Sequence, residues 1–243
     1  MQPSKKTSIR LEEFVTAQLS QSRREVVDLI ITGKVNVNGN PVRDISSMID
    51  SDRDVVHVDG ERLMNNLVYH YYKFHKPAGV ISTLDDPNGR NCLKDFMNNV
   101  PQSLAPVGRL DRDSEGVMIF TNNGQLALAM SHPRYEVQKQ YRVTLDKKLS
   151  QPHFDRLTSG CFLDDGPIVF DQVDWVSDVT VLVKISEGRN RVIRRTFELF
   201  GYRVKKLLRL SMGPIQLGKL GAGKFAKLTS GELRQLDQII KLR

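Results

Sequence analysis

A break at Gly60-Glu61-Arg62-Leu63-Met64-Asn65-Asn66 separates an alternating, strand-like pattern from an aromatic-rich run, and it confines the front of the chain to one small core. Ahead of the break, Ile9, Leu11, Phe14, Val15 and Leu19 recur at helical spacing. Ser22 stands three residues before Glu25, the signature of a capping box, and Val26, Val27, Leu29 and Ile30 supply the apolar face of a second helix. Gly33 is placed to end that helix. Lys34-Val35-Asn36-Val37-Asn38-Gly39 then alternates with period two and closes on Asn-Gly, a strong hairpin signal. Val55-Val56-His57-Val58-Asp59-Gly60 reads as a further strand. The pattern predicts a compact domain over 8–66 and a second one over 67–243.

The second part mixes strands and helices without a regular strand–helix–strand alternation. Val68–Phe74, Gly116–Thr121, Lys139–Leu145, Val179–Ile185 and Lys205–Leu210 read as strands, and 123–131 and 190–200 as helices. Thr229, three residues before Glu232, opens a last helix to about Leu242. The expected class is α+β: a small front domain and a larger domain on a mostly antiparallel mixed sheet. With 40% hydrophobic and 26% charged residues the composition excludes a disordered or fibrous chain. The apolar run Val117–Phe120 is four residues long, far below the ~18 that a membrane span needs. Met1–Ser8 holds no apolar segment, and Cys92 and Cys161 are too few for a disulfide framework, so a cytoplasmic protein is expected.

Charge is unevenly placed. The chain carries 36 Lys+Arg against 28 Asp+Glu, a net of +8. Residues 1–63 hold 9 basic and 10 acidic side chains, a net of −1, so the excess lies behind the break. Within 184–209, nine basic groups face only Glu187 and Glu198. A solvated helix face explains a few of these cations. The remainder point to a polyanionic partner, because each neutralised phosphate releases condensed counterions.

The densest polar cluster is Gly108-Arg109-Leu110-Asp111-Arg112-Asp113-Ser114-Glu115-Gly116, directly ahead of an apolar strand. Three carboxylates and two arginines in seven residues form either a solvated turn with local ion pairs or a site. In a site, a cation and limited solvent would fix the protonation of one carboxylate. Asp111 beside Arg109 meets that requirement.

Taken in order, Lys76-Pro-Ala-Gly-Val-Ile-Ser-Thr83, Val107-Gly-Arg-Leu-Asp-Arg-Asp-Ser-Glu-Gly116, Phe120-Thr-Asn-Asn-Gly124, His132-Pro133, Lys139-Gln-Tyr-Arg-Val143, Glu187-Gly-Arg-Asn-Arg-Val-Ile-Arg-Arg195 and Phe200-Gly-Tyr-Arg-Val204 resemble the successive motifs of RNA pseudouridine synthases. The branch is the one that acts on single ribosomal RNA uridines. The front unit resembles the S4-like RNA-binding domain that accompanies it, through Ser22-Arg-Arg-Glu25, Gly33-Lys-Val35 and Val37-Asn-Gly39. The acidic stretch from Asp44 to Glu61 departs from a uniformly basic module and confines an RNA face there to Arg10, Arg23, Arg24 and Lys34.

The resemblance implies isomerisation of uridine without metal or cofactor, on ribosomal RNA or a pre-ribosomal particle. It assigns catalysis to Asp111, with Arg194 as its ion-pair partner and Tyr141 against the target base. Asp113 is expected to cap the following turn. Arg109 would fill the gap left by a flipped base, and Lys76, Lys139, Arg189, Arg191 and Arg195 would hold phosphates. Val192 and Thr196 stand where the family more often has Gln and Met, and His75 where Asn is commoner. Leu163-Asp-Asp-Gly-Pro167 and the Glu-Gly-Arg-Asn-Arg form lean towards relatives acting on large-subunit RNA. The five histidines show no zinc-ligand spacing, and Gly218–Lys224 reads as a loop, not a nucleotide-binding one. Two rival readings stay open: a metal-dependent nuclease using Asp85, Asp86, Asp111 and Asp113, and a non-catalytic ribosome-binding factor on the same fold.

Overall fold

The computed structural model describes residues 8–19, 21–64 and 68–241. The expected domain boundary at 66/67 lies outside the described residues. Two compact units are present; the first runs up to His70 and includes Pro101–Ala105 and Thr121–Gly124. Its helices, Leu11–Gln18 and Arg23–Ile31, bury Leu11, Phe14, Val15, Val26 and Ile30 with Val35, Ile49, Val56 and Val58. The capping box forms: Ser22 Oγ accepts from Glu25 N–H, and the Glu25 carboxylate accepts from Ser22 N–H. Strand Val35–Val37 turns at Asn38 and Gly39, whose φ values of 53° and 84° suit the tight hairpin that Asn-Gly encodes. Four short strands form a sheet in the order Asn40–Pro41, Val35–Val37, Val56–Val58, Glu61–Arg62.

The second unit is built on a nine-stranded sheet whose path runs Gln172–Ser177, Thr180–Ile185, Lys139–Leu145, Val204–Met212, Glu115–Thr121, Tyr71–Lys76, Phe225–Lys227. The ladders among the first four of these strands are antiparallel. Glu115–Thr121 pairs parallel with Val204–Met212, so the sheet is mixed, in a unit that also carries helices: the α+β class. Glu115–Thr121 reads as a continuous apolar run because both its faces are covered. Val117 and Ile119 pack with Leu126, Met130, Met212 and Leu236, while Phe120 joins Phe74 and Phe225 in an aromatic cluster.

Three of the expected strands form close to their predicted bounds. The strand expected at Val68–Phe74 lies instead at Tyr71–Lys76. Helix Gln151–Ser159, the hairpin Cys161–Leu163/Gly166–Ile168 and strand Gln172–Ser177 are additions to the sequence reading. No helix among the described residues is long and apolar enough to cross a membrane.

Candidate active site

The segment Arg109–Ser114 enters the strand Glu115–Thr121 at a point where two strands come unusually close. Gly116 has φ 125°, and a Cβ placed there would lie 2.3 Å from the carbonyl oxygen of Arg209. Only glycine permits this approach, which seats the polar segment against the strand carrying Arg209.

From that start, the carbonyls of 109–114 are each bound in turn. Arg209 Nη1 reaches Arg109 O at a long 3.5 Å, and Ser82 Oγ donates to Leu110 O at 2.6 Å. Ser114 N–H closes a turn on Asp111 O at 3.0 Å. Gly79 N–H and Lys76 Nζ both donate to Arg112 O, at 2.8 and 3.2 Å. Arg194 Nη2 donates to Asp113 O at 3.0 Å, and Lys76 Nζ to Ser114 O at 2.8 Å. The loop bearing Asp111 is thus held by side chains from four other segments. Charge-assisted bonds of this kind are the strong ones.

Beside the loop opens a cavity of about 600 Å³. Its sheet side presents Lys139, Tyr141, Ile185, Leu207 and Arg209, which alternate along three adjacent strands and so share one face. Its walls come from the loop with Asp111, from Ile81–Arg90 and from Glu187–Ile193. Seven Lys/Arg and four Asp/Glu line it, so the cavity is cationic on balance. Of the residues singled out from the sequence, Asp111, Tyr141, Arg109, Lys139, Arg189 and Arg191 line the cavity; Lys76, Arg194 and Arg195 stand outside that lining. Among the described residues no group of three or more His, Cys, Asp or Glu is arranged to hold a metal ion.

A family profile described as RNA pseudouridylate synthase matches residues 70–199, the stretch that carries the loop, Tyr141 and the Arg189–Arg195 segment. An uncharacterized RNA pseudouridine synthase of Aquifex aeolicus is 34% identical over 97% of this chain and 96% of its own length. The chain belongs to the RNA pseudouridylate synthase family. A protein of Bacillus subtilis named ribosomal large subunit pseudouridine synthase B is 33% identical over 93% of this chain and 95% of its own length. A solved pseudouridylate synthase superposes on the synthase with a TM-score of 0.66 at 27% identity, covering 94% of this chain and 99% of that one.

Several side chains of the synthase sit differently from the sequence expectation. Lys76 is fully buried with its ammonium on three carbonyls, Pro77 O included, and burial pushes it down to about 8. It has no solvent-facing side for a phosphate and serves as a brace under the loop. Arg194 spans Val204 O and Asp113 O; its bonds go to main chain, with no ion pair to the Asp111 carboxylate among the described residues. Its pKa is lowered, chiefly by burial and next by Arg191, and raised in part by the charges of Asp113 and Asp111. Asp113 does not cap the turn: its carboxylate faces Arg191 at 3.9 Å. Arg189 binds Glu187 and Asp165, and Arg195 binds Asp164 and Asp165, so both guanidiniums hold the turn of the hairpin Cys161–Ile168. In the first unit Arg23 pairs with Glu12 at 2.6 Å, Lys34 lies 3.7 Å from Asp59, and Arg24 is exposed. Lys139 is pushed down to about 8 by burial and by Arg209.

Proposed function

We propose that the synthase converts one uridine of large-subunit ribosomal RNA to pseudouridine in this cavity. The observation that carries the reading is the convergence of Asp111 and Tyr141 on one cationic cavity behind a loop fixed at successive carbonyls. Its volume of about 600 Å³ is within the ~300–1,000 Å³ of small-ligand sites and admits one nucleotide. A stacked uridine cannot bring its ribose to Asp111, so the nucleotide must leave the stack. Tyr141, 8% exposed, offers a flat face to the base, and Arg109, exposed at the rim, stands where it can occupy the vacated position. Asp111 acts at the ribose, either by capturing C1′ or by taking the C2′ proton. The name of the Bacillus subtilis relative supports ribosomal RNA of the large subunit as substrate. The front unit, with its capped second helix bearing Arg23 and Arg24, is proposed as an S4-like RNA-binding domain that anchors the substrate RNA.

Isomerisation exchanges no atom with a donor, so the reaction needs neither nucleotide nor redox partner. Release of tritium from C5 of labelled uridine in ribosomal RNA, with and without chelator, tests this. Release that persists in chelator is expected. Absence of tritium release together with cleavage of a short unstructured RNA that is lost with chelator and returns with a divalent ion would support the metal-dependent nuclease reading instead.

A further inference from the structure

Arg209 enters the sequence reading only as one of the nine basic groups of 184–209, and it has an unusual place in the structure. It is 2% exposed, among the most buried cations in the chain, and no carboxylate forms an ion pair with it among the described residues. Nε donates to Val117 O at 2.7 Å and Nη1 reaches Arg109 O, so the guanidinium plane is fixed at both ends of the loop that carries Asp111. Nη2 is buried and has no hydrogen-bond partner among the described residues, and Arg209 is one of the residues that line the cavity. A buried guanidinium without a counter-charge is costly, and an orphan N–H adds to that cost. Both penalties are relieved by a negative charge arriving in the cavity.

The register says where that charge develops. Arg209 is the cross-strand partner of Tyr141 on one side and of Gly116, just after the Asp111 loop, on the other. It therefore lies between Tyr141 and the start of the strand that the Asp111 loop enters, with Nη1 reaching Arg109 O in that loop. On the reading proposed above, the C1′–N1 bond breaks there. Its electron pair leaves with N1 and spreads over O2 and O4 of the uracil. C1′ is left electron-deficient, to be captured by Asp111 or relieved by loss of the C2′ proton to it. C5 then bonds to C1′ as the Asp111 carboxylate departs from C1′ or, on the other branch, returns its proton to C2′; C5 loses its proton and N1 takes one up, so atoms and charge balance.

We infer that Arg209 is a catalytic residue whose fixed Nη2–H binds a carbonyl of the departing uracil and stabilises the anion as the glycosidic bond breaks. Lys139, on the same face and two residues from Tyr141, adds a second positive charge when protonated. A preorganised donor aimed at developing charge in a water-poor site is worth more than the same donor in water.

The test uses the full chain with Arg209→Met and Arg209→Lys and two RNAs, one carrying uridine at the target and one 5-fluorouridine. Fluorine at C5 stabilises the uracil anion without help. Single-turnover disappearance of the parent nucleoside is read by nucleoside analysis, and RNA affinity by filter binding. Arg209→Met is expected to slow the uridine reaction by about 100-fold or more, the usual cost of losing one such donor. The loss on 5-fluorouridine should be at least about tenfold smaller, with RNA affinity little changed. Where Arg209→Met fails to fold, the same contrast between the two RNAs is read on Arg209→Lys. An equal loss on both RNAs, or no loss, overturns the inference and leaves Arg209 as a brace on Val117 and Arg109. A wild-type chain that forms no pseudouridine overturns both this inference and the function proposed above.

Discussion

Asp111 and Asp113 stand two residues apart and meet different surroundings. The first lines the cavity; the second, with a side chain 64% exposed, faces Arg191 across 3.9 Å of a weak ion pair. Asp111→Asn is expected to abolish pseudouridine formation while leaving fold and RNA affinity in place. Asp113→Asn should cost less than about 1 kcal/mol, within about fivefold in rate, as for other exposed pairs. Tritium release by the two variants checks the contrast, and a dead Asp113 variant beside an active Asp111 variant reverses the assignment. Lys139 makes a pH-dependent contribution. Its folded pKa of about 8 lies below the ordinary 10.5, so between these values the unfolded chain holds more protons than the folded one. Stability contributed by this group therefore rises with pH through that window. Denaturant midpoints measured from about pH 8 to 10.5 should climb less steeply in Lys139→Met than in the wild type. Lys76, shifted in the same direction, keeps part of the rise.

At the level of elements, the hairpin Cys161–Leu163/Gly166–Ile168 governs how many cations are free for RNA. Asp164 and Asp165 in its turn hold Arg195 at 2.6 and 2.7 Å, and Asp165 holds Arg189 at 2.8 Å. Replacing both aspartates by Asn should change stability little, because exposed pairs are worth about 0–1 kcal/mol. It should release Arg195 to phosphate while Glu187 still holds Arg189, and steepen the log–log dependence of RNA affinity on salt by about one contact, near 0.7 for single strands. Filter binding across a salt series checks this; an unchanged slope would mean that Arg195 does not reach RNA.

The same hairpin shows what can be read from residue order. Strand Lys139–Leu145 and the second helix with its capping box were legible because periodicity and caps are local signals. The hairpin and strand Gln172–Ser177 carry polar and exposed residues, and only their partners select strand there. Lys76 and Arg194 were legible as important and not as braces, since the carbonyls of the Asp111 loop that they bind lie 36 to 81 positions away. Arg209 did leave a trace: Leu207, Arg209 and Ser211 occupy the buried parity of their strand, so an arginine sits where an apolar residue is the rule.

For the whole chain, the positive charge behind the break and the near-neutral front unit imply that most sequence-independent attraction for RNA belongs to the second unit. Of the front cations, Arg24 is exposed, whereas Arg23 is engaged by Glu12. Arg24→Ala should therefore flatten the salt slope by about one contact and Arg23→Ala by less. An unchanged slope and affinity in the double variant would remove the front unit from RNA binding.

The six bound carbonyls of 109–114 have a consequence for who moves. A loop tied at each step has no slack to follow an incoming nucleotide, so adjustment falls on the RNA, whose target must swing out and whose neighbours must reclose. Turnover should then depend on how readily the local RNA opens. A uridine placed in a loose internal loop should react faster than the same uridine in a tight stem, with the protein unaltered between them.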